Sequence, residues 1–149
     1  MLYVGLHDPE RVESFSRTKQ IGGAKEPFTS LDFEVISALV RQFDRVVTTP
    51  HILTEVSNLL GQLSGDVKER CFAMFARHVA EPTTIERVPP AKILTNTTEF
   101  VRFGIADTST MQVAAEHYLV LTTDYKLYGY LHKNGLAAVN YNNYRYHLF

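Results

Sequence analysis

The chain predicts a three-layer α/β/α domain built on a parallel sheet. Two observations carry this. Short β-branched or aliphatic runs alternate along the chain with longer segments of apolar periodicity near 3.6 residues, the pattern of strands covered by helices on both faces. The 149 residues, 45% of them hydrophobic and 21% charged, suit one compact domain over 1–149. Folding at that length buries roughly 70% of the unfolded chain's surface.

The elements follow in order. Asp8-Pro9-Glu10 opens a short helix, with Asp8 as cap and Pro9 in the first helical position. Thr18 to Ser30, with Gly22, Gly23 and Pro27, has little periodicity and reads as a surface loop. Thr29 or Ser30 caps a helix carrying Phe33, Ile36, Leu39, Val40 and Phe43 on one face. Arg45 to Thr49 is a strand. A helix from Pro50 to about Gln62 follows, apolar at Ile52, Leu53, Val56, Leu59, Leu60 and Leu63. Asp66 to Val79 is a helix that buries Val67, Phe72, Phe75, Ala76 and Val79. A strand at Thr84–Val88 precedes Pro89-Pro90. Ala106 to His117 is helical, Tyr118 to Thr122 a strand, Tyr125 to Lys133 a helix stopped by Asn134-Gly135, and Leu136 to Asn140 a last strand.

Composition excludes several classes. The single cysteine, Cys71, forms no internal disulfide framework, and a reduced, cytoplasmic setting fits that count. A net charge of −1 gives no global positive field, so contact with nucleic acid needs a local patch. No apolar run reaches the roughly 18 residues of a membrane span. No glycine-rich phosphate loop, Gly-x-Ser-x-Gly elbow or paired zinc spacing among the six histidines is present.

In open α/β sheets the working site lies beyond the carboxyl ends of the strands. Thr48, Thr49 and the helix bearing Glu55 follow one strand. Thr122, Thr123 and Asp124 follow another, and Asp107 opens the helix leading into it. Glu55 falls at the rim of its helix's apolar arc, beside His51, Asn58 and Gln62 on the polar side. An ordinary solvated glutamate is the alternative, since exposed Glu is the default. Asp107 shares a face with Met111 and Ala114, and Asp124 starts a helix; capping explains both equally well. Their common location is the argument. Converging carboxylates repel unless a hard dication such as Mg²⁺ offsets them, and such an ion supports phosphodiester hydrolysis.

The runs RVVTTPHILTEVSNLL (Arg45–Leu60) and GIADTSTMQVAAEHYLVLTTDYKLYGYL (Gly104–Leu131) resemble the PIN-domain ribonucleases, among them toxins of bacterial toxin–antitoxin pairs. The likeness extends from DPERVESFSRTK (Asp8–Lys19) to NYNNYR (Asn140–Arg145). It implies a parallel sheet between helices and an acidic pocket that holds Mg²⁺ or Mn²⁺ and cuts RNA. By position Glu55 matches the family's helix glutamate, Asp107 the aspartate before the fourth strand, and Thr122 with Asp124 the Thr-x-Asp ending that strand. Asn58 would line the pocket.

One departure stands out. The family opens with a strand ending in Asp-Thr-Asn, whose Asp is a principal ligand, whereas Met1-Leu2-Tyr3-Val4-Gly5 resembles the segment after it. The first strand and first acid are then missing. In the competing alignment Leu2–Leu6 is that strand and Asp8 the acid. The missing acid motivates a second reading, a catalytically impaired module that binds RNA or a protein partner. A flavodoxin-like small-ligand binder is a third.

Local cations for RNA are Arg11, Arg17, Lys19 and Lys25 early in the chain, and Lys126, Lys133 and Arg145 later. The aromatic tail (Tyr141, Tyr144, Tyr146, His147, Phe149) suits docking onto the domain or a second subunit better than stacking on bases. An antitoxin protein and a homodimer enter as partners through the resemblance.

Overall fold

The computed structural model describes residues 19–21, 24–26 and 28–145. The helix expected at Asp8, the alternative strand Leu2–Leu6, Arg11, Arg17 and the tail beyond Arg145 lie outside the described residues. The fold is mixed α/β, mostly helical, with short strands. In chain order it runs β1 (Lys19–Ile21), β2 (Ala24–Glu26), α1 (Ser30–Val40), β3 (Val46–Thr48), α2 (Pro50–Leu60), α3 (Gly65–Ala80), β4 (Thr84–Glu86), α4 (Ala91–Thr95), α5 (Thr98–Ala114), β5 (Val120–Thr122), α6 (Tyr125–Lys133), β6 (Ala138–Asn140) and α7 (Tyr141–Arg145). Among the described residues the strands pair as β1–β2, β3–β4 and β5–β6. No helix of the described residues is long and apolar enough to cross a membrane.

The expected parallel strands are present as two pairs. In β5–β6 Val120, Leu121 and Thr122 register with Ala138, Val139 and Asn140. In β3–β4 Val46 N–H donates to Thr83 O at 3.0 Å and Arg87 N–H to Thr48 O at 2.8 Å, so both strands advance in one direction. The segment read as a loop contains a hairpin instead, with Lys19 opposite Glu26 and Ile21 opposite Ala24, antiparallel. Its strands are polar and three residues long, so main-chain pairing holds them and no apolar alternation announces it. Gly22-Gly23 between them was the usable signal, a two-residue hairpin signature.

The chain divides into two compact units, Met1–Val46 with Val56–Thr84 and Val47–Glu55 with Ile85–Phe149. In the first, Thr29 caps α1 through a capping box. Its Oγ1 accepts from Asp32 N–H at 3.3 Å, and Asp32 Oδ2 accepts from Thr29 N–H at 2.7 Å. Leu60, Leu63, Val67 and Cys71 form the core there, with Val56, Phe72 and Phe75 packed against it. Phe43 and Val79, expected inside, are exposed: Phe43 follows the end of α1 and Val79 sits in the last turn of α3.

In the second unit β5, α6 and β6 make a βαβ unit whose helix packs on α5. Met111, Ala114, Leu127 and Leu131 are its core, joined by Phe103, Val120, Tyr130, Leu136 and Ala138. Asp124 caps α6, and the helix stops at Asn134, followed by Gly135 at φ 68° with Leu136 N–H on Leu131 O at 2.9 Å. Arg87 braces the chain after α5, donating to Tyr118 OH at 2.8 Å and Glu116 Oε2 at 3.2 Å.

The helix expected from Ala106 begins earlier, at Thr98, and is broken at Gly104 (φ 79°, ψ 177°), where two helical segments meet. Asp107 therefore lies in the first turn after a break rather than at a free N-cap. Gly104 in sequence marked the break, not the start.

Candidate functional site

Three of the four residues singled out in sequence lie on or beside helices of the second unit, and the fourth ends a strand there. Glu55 projects from the first turns of α2, exposed. That helix starts where it does because Pro50 takes the first helical position and Thr49, fully buried, accepts from Ile52 N–H at 3.3 Å. Asn58, three residues on, is exposed and belongs to the first unit.

Asp124 follows β5. Its Oδ1 accepts from Lys126 N–H at 2.6 Å and Leu127 N–H at 3.1 Å, and its own N–H donates to Thr122 Oγ1 at 3.0 Å. Capping and site placement thus coincide: one oxygen caps α6, while Oδ2 has no hydrogen bond among the described residues. Thr122 acts on the turn, holding the backbone from which Asp124 projects.

Asp107 is half-buried. Burial pushes its carboxyl above the usual range, and the charges of Asp124 and then Glu55 push it further, with Lys126 opposing. Acids from α2, α5 and the β5–α6 turn are therefore near enough to repel one another. Thr108 Oγ1 ties back to Gly104 O at 2.7 Å, closing the first turn on which Asp107 sits. Among the described residues no three His, Cys, Asp or Glu side chains stand close enough to share one ion.

Lys126, whose charge acts on Asp107, has a second cation, Arg102, beside it on one ring. Lys126 Nζ lies 4.6 Å and the Arg102 guanidinium 4.9 Å from the centroid of the Phe103 ring, and Lys126 Nζ donates to Arg102 O. Arg102 escaped the sequence reading because the stretch before Gly104 carried no helical assignment.

Asn140 and Asn142 were also missed. Asn140 ends β6 opposite Thr122. Asn142 N–H donates to Asn140 Oδ1 at 3.0 Å, and Asn142 Nδ2 donates to Thr123 O at 2.8 Å. These bonds bracket the turn leading into Asp124. Polar residues directly after a parallel strand were the available signal.

No family model matches the chain, and no curated protein or solved structure matches it.

Proposed function

We propose that the chain is a cytoplasmic, divalent-metal-dependent endoribonuclease of PIN type, possessing that family's three-layer arrangement and acting as the toxin of a toxin–antitoxin pair. The observation that carries the reading is the mutual repulsion at Asp107. Burial first, and then the charges of Asp124 and Glu55, which lie far from it in sequence, raise its proton affinity, a configuration that a bound cation would offset. The resemblance of Arg45–Leu60 and Gly104–Leu131 to the family supplies the reaction class.

The donor chemistry fits Mg²⁺ or Mn²⁺: carboxylate oxygens alone, two of the acids exposed and able to change rotamer around an ion. Glu55, Asp107 and Asp124 would hold it, and when bound it supplies activation of water and charge neutralisation at phosphorus. The remaining work falls to the chain. Asp107 is the half-buried one of the three acids. Thr122 fixes the Asp124 backbone, the α6 cap commits one Asp124 oxygen and leaves the other available, and Lys126 with Arg102 gives the phosphate backbone of RNA a local cationic border.

The test is incubation of single-stranded RNA with the purified protein and Mn²⁺. Internal cleavage that stops in excess EDTA and returns with added Mn²⁺ is the expected result. Cleavage undiminished by EDTA rejects the mechanism.

The second reading is a module that binds RNA or a protein without cutting it. Calorimetric titration with Mn²⁺ separates the two, a saturable site counting against it. The partners follow the same reading. Val101, 90% exposed, with Val88 and Ile93 gives the second unit apolar side chains for a small antitoxin protein or a second copy to cover. A dimer mass in light scattering that falls to the monomer in Val101→Asp is the outcome expected for a second copy; an unchanged mass removes it.

A further inference from the structure

A cleft of about 300 Å³ opens in the second unit, lined by Tyr128 of α6, Ala138, Val139 and Asn140 of β6, and Asn143 and Tyr144 of α7. We infer that it seats a nucleobase of single-stranded nucleic acid, one strand away from the acidic cluster. The inference depends on the nuclease reading for the cleft's purpose, but the binding it describes is measurable without cleavage.

Three features select this ligand. First, the cleft has two tyrosines, and their rings are accessible to different degrees. Tyr128 is half-buried and held against the His132 ring at 5.8 Å between centroids, while Tyr144 is 47% exposed although Tyr141 of the same helix is fully buried. The buried residue anchors α7, which frees Tyr144 from a packing role and presents it as a stacking platform.

Second, a cleft-lining amide carries an unanswered donor. Asn140 is 1% exposed, and its Oδ1 is committed to Asn142 N–H, which fixes the amide orientation. Nδ2 is then left buried without a partner, as is Oδ1 of Asn142. Unpartnered buried polar groups are rare, and they mark this end of β6 as polar beneath the cleft floor. The exposed Asn143 amide lies in the same lining.

Third, the position is right for a nucleotide chain. Asn140 registers with Thr122 across the β5–β6 ladder, so the strand that lines the cleft runs directly beside the strand that leads into the Asp124 turn.

The experiment measures anisotropy of a fluorescein-labelled, single-stranded 2′-O-methyl hexauridylate, which is not cleaved, in EDTA. Tyr144→Ala weakens binding about tenfold, the effect of losing one stacked base. Tyr144→Phe retains the affinity, and Asn143→Ala weakens it a few-fold; thermal midpoints confirm that each variant folds. Equal affinity of wild type and Tyr144→Ala overturns the proposal, as does a Tyr144→Phe variant as weak as the alanine. If RNA survives Mn²⁺ intact while binding still depends on Tyr144, the nuclease reading fails and the base site stands. If RNA is cut and Tyr144→Ala binds like wild type, the base site fails alone.

Discussion

Asp107→Asn is expected to lower RNA cleavage by about two to three orders of magnitude while making the protein more stable. The first effect follows from the proposed role of Asp107 as a charged ligand of a divalent ion, whose loss would remove roughly 3–4 kcal/mol of transition-state stabilisation. The second follows from the sign of the Asp107 shift. Its carboxyl is raised in the folded state by burial and by Asp124 and Glu55, so between the unfolded and folded values the native state binds more protons. Stability contributed by that proton is present at low pH and is lost as pH rises through the folded value. Asparagine carries no charge at either end of this range. At pH 8 the variant is therefore the more stable of the two. At acid pH, where the carboxyl is protonated folded and unfolded alike, the two proteins converge. Thermal melts at both pH values read this directly, and a variant that melts lower at pH 8 would show Asp107 to be a net stabilising cap instead. The same sign predicts that Mn²⁺ binding weakens on acidification, because the proton and the ion compete for one carboxylate.

Gly104→Ala is expected to destabilise by about 1–3 kcal/mol, the cost of placing a side chain at φ 79°, ψ 177°. No atom lies within 4 Å of the position a Cβ would take there, so the cost is the backbone conformation alone. The thermal midpoint falls roughly 2–4 °C for each kcal/mol. Cleavage falls further than stability does, because Gly104 O anchors Thr108 and sets the first turn that carries Asp107. Gly129→Ala is the control. It lies inside α6, also with open space around its Cβ and without a positive φ, and alanine there stabilises by up to about 1 kcal/mol. The same chemical change thus has opposite signs at two glycines. Equal effects in melts would refute the account.

Elements with their own punctuation were legible in sequence. Helix α2 is bounded by Thr49-Pro50, and α6 by Asp124 and Asn134-Gly135, and both stand where those signals put them. Elements held by tertiary context were not. The β1–β2 hairpin has no apolar alternation, α4 has only five residues, and α7 was hidden in a run read only for its aromatic content. The same division holds at the candidate site. Glu55, Asp107, Thr122 and Asp124 could be named because strand ends and helix starts are local features. That Asp107 lies three residues past a break and is half-buried depends on the φ of Gly104 and on packing of α5 against α6. Asn140 and Asn142 matter only because β6 runs beside β5, a long-range pairing that no local pattern reports.

Cys71, in the core of the first unit, is fully buried, and that burial pushes its thiol above the ordinary value. Both effects withhold the reactive thiolate from solvent reagents. As the sole thiol of the chain, it is a built-in clock for that unit. The rate at which a maleimide captures it counts how often the Leu60–Val67 core opens, with no label introduced into the unit that carries Glu55, Asp107 and Asp124.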